Sequence, residues 1–178
     1  MLKIVGLIAL ALAIGIGGIL AYAATKPDSF RVERKIGVKA PPEKIYPLIE
    51  DFSQWGAWSP YEKKDPAMKR TFEGPRSGKG AIYAWDGDRN IGAGRMEIVD
   101  VSAPNRVRIK LDFFRPFKAS NTAEFTLQPK GDTTDVTWAM YGPNLFLGKV
   151  MQVFLDFDRM VGTDFEAGLA DLKRTAER

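Results

Sequence analysis

The stretch Asn144–Ala176, NLFLGKVMQVFLDFDRMVGTDFEAGLADLKRTA, decides how the rest of the chain is read. Asn144 follows Gly142-Pro143, so a turn ends on a residue type suited to cap a helix N-terminus. Beyond it, Leu147, Val150, Phe154, Phe157, Val161, Phe165, Gly168 and Leu172 recur at intervals of three and four. That spacing predicts one continuous amphipathic helix, roughly 45 Å long at 1.5 Å per residue. Lys149, Gln152, Asp156, Arg159, Thr163, Glu166 and Lys173 fall on the face expected to meet solvent. Leu145, Phe146, Met151, Val153, Leu155 and Met160 widen the apolar stripe of its first half. Such a helix needs a large concave surface to bury it.

Upstream sequence supplies that surface. Val107, Ile109, Leu111 and Phe113 alternate with Arg106, Arg108, Lys110 and Asp112, the period of a half-buried strand. Phe125 and Leu127 share a phase with Ala119, Asn121 and Ala123, and Val136, Trp138 and Met140 oppose Asp135 and Thr137. Turn chemistry separates the runs: Gly74-Pro75, Asp86-Gly87-Asp88, Ala103-Pro104-Asn105, Arg115-Pro116, Pro129-Lys130-Gly131 and Gly142-Pro143. Phe30–Val38 forms an earlier strand, and Pro41-Pro42-Glu43 opens a helix with Ile45, Leu48, Ile49 and Phe52 on one face. One strand, two short helices, six strands and a long helix predict an α+β domain. Its curved antiparallel sheet, about seven strands, wraps on the C-terminal helix.

Composition narrows the chemistry. The 178 residues contain neither Cys nor His, which removes disulfides, thiolate nucleophiles, Cys or His metal sites and a histidine base. No cofactor and no metal are expected. The net charge of +4 is dispersed through short mixed runs such as Glu62-Lys63-Lys64-Asp65, so nucleic acid is not an expected partner. Gly78-Lys79-Gly80 and Gly92-Ala93-Gly94 precede no helix and lack the Gly-Lys-Ser/Thr ending of a phosphate loop; they read as turns and bends. Gly162 and Gly168 imply close helix–sheet approach.

Ile4–Ala24 is uncharged and almost wholly apolar, long enough to cross a bilayer. A retained single-pass anchor is preferred to a cleaved signal on length, although Ala21-Tyr22-Ala23 resembles a cleavage site. Residues 1–25 are therefore expected to form the anchor or signal and residues 26–178 the domain. Lys3 favours an inside N-terminus and an extracytoplasmic domain, while Lys26, Arg31, Arg34 and Lys35 crowd the other flank. Cleavage would make the protein secreted.

Ala40-Pro41-Pro42-Glu43-Lys44-Ile45-Tyr46, followed by Asp51-Phe52-x-x-Trp55-x-x-Trp58-Ser59-Pro60, resembles the polyketide cyclase/dehydrase-like branch of the START-related helix-grip (SRPBCC) superfamily. Asp65-Pro66-Ala67-Met68, Gly78-x-Gly80, Trp85-x-Gly87, Gly92-x-Gly94 and Asp164-Phe165-Glu166-x-Gly168-Leu169 extend the match over about Phe30–Lys173. The resemblance implies a deep apolar cavity between sheet and terminal helix for lipids, polyketides, sterols or similar molecules. Its members range from cyclases to carriers and protein-folding cofactors, so the fold does not settle the function.

The residues expected to line the cavity are Trp55, Trp58, Tyr83, Trp85, Met96, Phe113, Asn121, Phe125, Trp138, Met140, Phe154, Phe157, Val161 and Phe165. Core packing is the competing reading for each aromatic. Trp55–Pro60 is expected near an opening, and Asn121 must be hydrogen-bonded to backbone or ligand. Asp156 pairs naturally with Arg159. No carboxylate pair is visibly directed inward, so the leading expectation is a membrane-anchored carrier of a hydrophobic small molecule without catalytic residues. A cyclase or dehydratase using Tyr83 or Asp86 for proton transfer is the alternative. A protein-interaction module is the third reading, with a filled core and an apolar patch on the outer helix or at Phe113–Phe117.

Overall fold

The computed structural model describes residues 2–178; Met1, the first residue of the expected 1–25 segment, lies outside the described residues. The elements run α1 (Leu2–Ala24), β1 (Ser29–Val38), α2 (Pro42–Glu50), a 3₁₀ turn (Phe52–Ala57), α3 (Pro60–Lys64), β2 (Lys69–Glu73), β3 (Ile82–Asp86), β4 (Ala93–Ser102), β5 (Arg106–Arg115), β6 (Ala119–Lys130), β7 (Thr133–Pro143), α4 (Phe146–Phe154) and α5 (Phe157–Ala176). The strands form one seven-stranded sheet in the order β1-β7-β6-β5-β4-β3-β2, each neighbouring pair antiparallel. Five hairpins therefore link β2 to β7 in sequence, and only β1 reaches its partner β7 across the sheet. Register shifts in the β4–β5 ladder at Ala93/Gly94 and Ile98/Asp100 bend the sheet, as bulges do.

The expected alternation is what builds the inner face. Val107, Ile109 and Leu111 of β5 are buried, as are Ala123, Phe125 and Leu127 of β6 and Val136, Trp138 and Met140 of β7. Phe165, Leu169 and Leu172 of α5 close over them with Ile45 and Ile49 of α2. The two glycines of α5 mark close approaches of that helix to its neighbours. A Cβ at Gly168 would stand 2.8 Å from both Pro60 Cδ and Trp138 Cζ3, and one at Gly162 would strike the Arg34 guanidinium.

The C-terminal segment differs from the single helix that its periodicity predicts. Leu155 is extended (φ −122°, ψ 132°), α4 ends at Phe154, and α5 begins anew at Phe157. The carboxylate of Asp156 caps the second helix by accepting a 2.9 Å hydrogen bond from the Arg159 backbone N–H. Asp156 thus serves the Arg159 backbone as a helix cap, where the sequence suggests a side-chain ion pair. Aspartate is mediocre inside a helix and strong at its N-cap, so a break costs little there. Asn144 is not the cap of α4 either. That position is Leu145, with no side-chain cap, because the Asn144 amide is committed to Pro27 O (3.0 Å) and Gln152 Oε1 (3.2 Å).

The most consequential difference is the orientation of α4. Lys149, expected in solvent, is buried with its Nζ 2.5 Å from Asp28 Oδ1 in the linker after α1. The apolar side instead faces outward: Leu147 is 55% exposed and Phe154 67%. α4 packs against α1, whose Ala23 is fully buried while most of the helix stands free. From Lys3 to Ala24, α1 has a mean hydropathy of 2.6, long and apolar enough to cross a membrane.

Candidate functional site

The expected cavity-lining set separates into an interior group and an edge group. Trp55, Trp58, Tyr83, Trp85, Met96, Phe125, Trp138, Met140 and Phe165 are all buried members of one hydrophobic cluster, with Phe113, Phe157 and Val161 packed partly buried against it. The rings bear directly on one another. Trp138 stacks on Phe165 at a centroid distance of 4.1 Å and an interplanar angle of 9°, and on Phe125 at 5.0 Å. Trp55 and Trp58 meet edges of the same group, and their indole N–H groups donate to Ile49 O (3.0 Å) and Leu48 O (2.8 Å). The aromatic segment therefore lies inside the core rather than at a rim. Its tryptophans supply both the apolar mass and the donors that hold the end of α2. Trp138 Nε1 is buried and has no hydrogen-bond partner among the described residues.

An inward acid–base constellation also exists, and sequence spacing does not reveal it. Tyr83 Oη donates to Glu62 Oε1 at 2.5 Å, while Arg70 Nε donates to Glu62 Oε2 at 2.7 Å. Arg70 further donates to Met68 O at 2.7 Å. Burial, and after it the hydrogen bond to Glu62, pushes the Tyr83 phenol well above its ordinary value. Both carboxylate oxygens are taken by protein donors, and the phenol is a poor base. This arrangement locks α3 to β2 and β3, which is a structural role for the three side chains. Asp86 is bound to Arg115 at an exposed strand end.

Open space lies instead around the α4–α5 junction. A cleft of about 240 Å³ is lined chiefly by apolar side chains: Phe30 from β1, Phe117 before β6, Leu145 and Met151 around α4, Leu155 at the break, and Met160 from α5. Asn121 points its amide into this wall, next to Gly142, at the place its strand phase suggests. A second, more polar cleft of about 560 Å³ adjoins it, sharing Phe30, Asn144, Gln152, Leu155 and Phe157 and adding Lys26, Phe154 and Asp158. Of the expected lining residues, Asn121, Phe154 and Phe157 border these clefts. Phe30, Phe117, Leu145, Met151, Leu155 and Met160 are the ones sequence reasoning missed. The available signal was the surplus of apolar residues in the first half of the terminal segment, more than one buried face requires.

Polar contacts hold the clefts' shape. Arg34 reaches from β1 under Gly162 to Asp158 (2.8 Å) and Glu166 (2.7 Å), fixing the first turns of α5. Asp28 is held below its ordinary 3.8 by its hydrogen bond to Lys149. A depressed carboxylate pKa makes this tether fully present above the unfolded value and loses it as the pH falls through the lower folded value. Asp28→Asn should therefore speed hydrogen exchange of α4 amides at neutral pH while leaving α5 unchanged. In the wild type the same loosening should occur only below pH 3.8. Equal protection of α4 in both proteins would show that the pair does not hold the helix.

Comparison with solved structures returns the same architecture. Similar folds include the Aha1 dimer from Colwellia psychrerythraea (TM-score 0.61, 18% identity, 83% of this chain and 96% of that one). Another is protein CV1439 from Chromobacterium violaceum (TM-score 0.59, 14% identity, 86% and 99%). A third is major latex-like protein 151 from Panax ginseng (TM-score 0.53, 16% identity, 85% and 97%). At these identities the likeness concerns the fold. No curated protein matches the sequence. Residues 29–177, from the first strand to the end of α5, match the family described as polyketide cyclase / dehydrase and lipid transport. With the helix-grip fold and that match together, the chain belongs to this family of the SRPBCC superfamily.

Proposed function

We propose that the protein is a membrane-anchored carrier that holds a hydrophobic small molecule at the α4–α5 junction. The observation that carries this reading is the apolar cleft of about 240 Å³ beside α4, the helix that packs on α1. Its volume falls below the roughly 300–1,000 Å³ usual for drug-sized ligands, which favours a slender chain such as an acyl or isoprenoid tail over a fused polycycle. Asn121 supplies a hydrogen-bonding group for a polar end. With α1 as a retained span, a molecule leaving the bilayer has a short path to this mouth.

The test uses the full-length chain, extracted in mild detergent and released into native mass spectrometry, with the bound material identified after solvent extraction. The wild type should carry a chain-like hydrophobic adduct. Ala119→Trp, which places an indole at the cleft wall on an exposed strand position, should lose most of it. Two empty spectra, unchanged when lipids are offered, would reject the carrier. They would favour a protein-interaction module, a reading that draws on the filled aromatic core and the outward apolar face of α4.

A further inference from the structure

Helix α4 is mounted the wrong way round for a helix in water. Its polar side, carrying Lys149 and Gln152, is turned into the protein and fastened to Asp28 and Asn144. Its apolar side is not covered: Phe146 is 52% exposed, Leu147 55% and Phe154 67%. The uncovered surface does not stop at the helix. Phe117, 55% exposed at the β5–β6 tip, lines the same cleft as Leu147 and Met151, and Phe114 stands beside it on that tip, 51% exposed. A soluble monomer rarely leaves so many large apolar side chains contiguous.

We infer that this surface lies in the interfacial layer of the bilayer, with α4 parallel to the membrane plane and the Phe114–Phe117 tip inserted beside it. The inference rests in part on reading α1 as a span, and three observations fix the occupant as lipid. The first is continuity: α4 packs on the C-terminal end of α1, and the Lys149–Asp28 pair ties it four residues beyond that helix's last residue, Ala24. A bilayer crossed by α1 meets α4 at its surface. The second is charge. Lys26, whose Nζ lies 4.9 Å from the centre of the Tyr22 ring, and Lys118 border the two clefts and form no ion pair among the described residues, so their charges can meet anionic headgroups. The neighbouring acids are engaged, Asp158 by Arg34 and Asp156 by the Arg159 N–H. The third is the shape of the element itself, a short helix with one broad apolar face left uncovered, which suits interfacial burial. In this pose the apolar cleft opens directly onto lipid, so a ligand enters it without crossing water.

The absence of cysteine makes the test clean. Single-cysteine variants of the full-length chain (Leu147→Cys, Phe154→Cys, Phe117→Cys, Leu12→Cys and Asp132→Cys) are nitroxide-labelled and reconstituted into phosphatidylcholine/phosphatidylglycerol vesicles. Collision rates with oxygen and with a water-soluble nickel chelate are then compared. Residues 117, 147 and 154 should show oxygen-to-nickel ratios several-fold above that of Asp132, which lies between β6 and β7 at the far end of β6 from Ala119. Leu12 reports on the span separately. A lipid signature at Leu12 with water signatures at 117, 147 and 154 would overturn this inference and leave the anchor standing. Lipid signatures at those three with a wet Leu12 would support the surface pose and remove the span. Exclusion of both reagents from 147 and 154 would mean that protein covers the face, and spin–spin broadening would identify that protein as a second copy; either result overturns the inference.

Discussion

Trp138→Ala is expected to lower stability by roughly 3–5 kcal/mol, the range for emptying a large aromatic site that cannot collapse. The reason is its position at the centre of the ring cluster. It is sandwiched by Phe165 on α5 and Phe125 on β6, with Trp55, Trp58 and Tyr61 meeting it edge-on. Removing it strips the contact through which the terminal helix grips the sheet. In urea, with a slope of about 2 kcal/mol per molar, the unfolding midpoint should drop by about 2 M. Trp138→Phe separates packing from hydrogen bonding. It keeps a stacked ring and deletes the orphaned indole N–H, whose burial costs about 1–3 kcal/mol, so the lost ring area is largely offset. Its stability should stay within about 1 kcal/mol of wild type. If circular dichroism showed both variants equally damaged, the indole N–H would have to be satisfied and the account of this core would be wrong.

The second large effect is expected at Gly168, against the usual direction for such a change. Glycine to alanine inside a helix normally gains up to about 1 kcal/mol. Here the new methyl would sit 2.8 Å from two rings, Pro60 and Trp138, neither of which can swing aside. Overpacking of this kind costs about 1–3 kcal/mol, so Gly168→Ala should be net destabilising. Gly162→Ala makes the informative contrast. Its methyl meets the end of a flexible side chain, and Arg34 can rotate outward at the expense of ion pairs whose carboxylates are largely exposed. Its melting temperature should change less than that of Gly168→Ala, and a reversed order would refute the rigid-neighbour argument.

The sheet and the grip of the terminal helix were legible because their signals are local. Val107 to Phe113 alternate strictly, and Phe165, Gly168 and Leu172 keep helical spacing. The α4–α5 break was hidden by that same regularity, since Phe154 and Phe157 remain in phase across it. Only Asp156, a good cap in a poor interior position, hints at the interruption. Lys149 misleads for another reason. A charge read alone belongs in water, and the partner that lets it be buried lies 121 residues away. The aromatic set shows the limit of residue type as evidence. Trp55 and Trp58 look like binding residues in a turn-rich segment, yet the α2 carbonyls accept their N–H groups and draw them inside. The clefts escaped detection because β1, the β5–β6 tip and both terminal helices must be assembled before their walls exist.

The self-supplied cap of α5 has a mechanical consequence. Because Asp156 satisfies the first turn from within, α5 does not need α4 to continue it, and the extended Leu155 acts as a pivot between the two. Opening of α4 alone would therefore leave the grip on the sheet closed. Leu155 and Phe157 line both clefts, so one swing about that pivot would widen both mouths together. In the proposed carrier, loading and release would then draw on the opening free energy of nine residues, not on the stability of the whole domain.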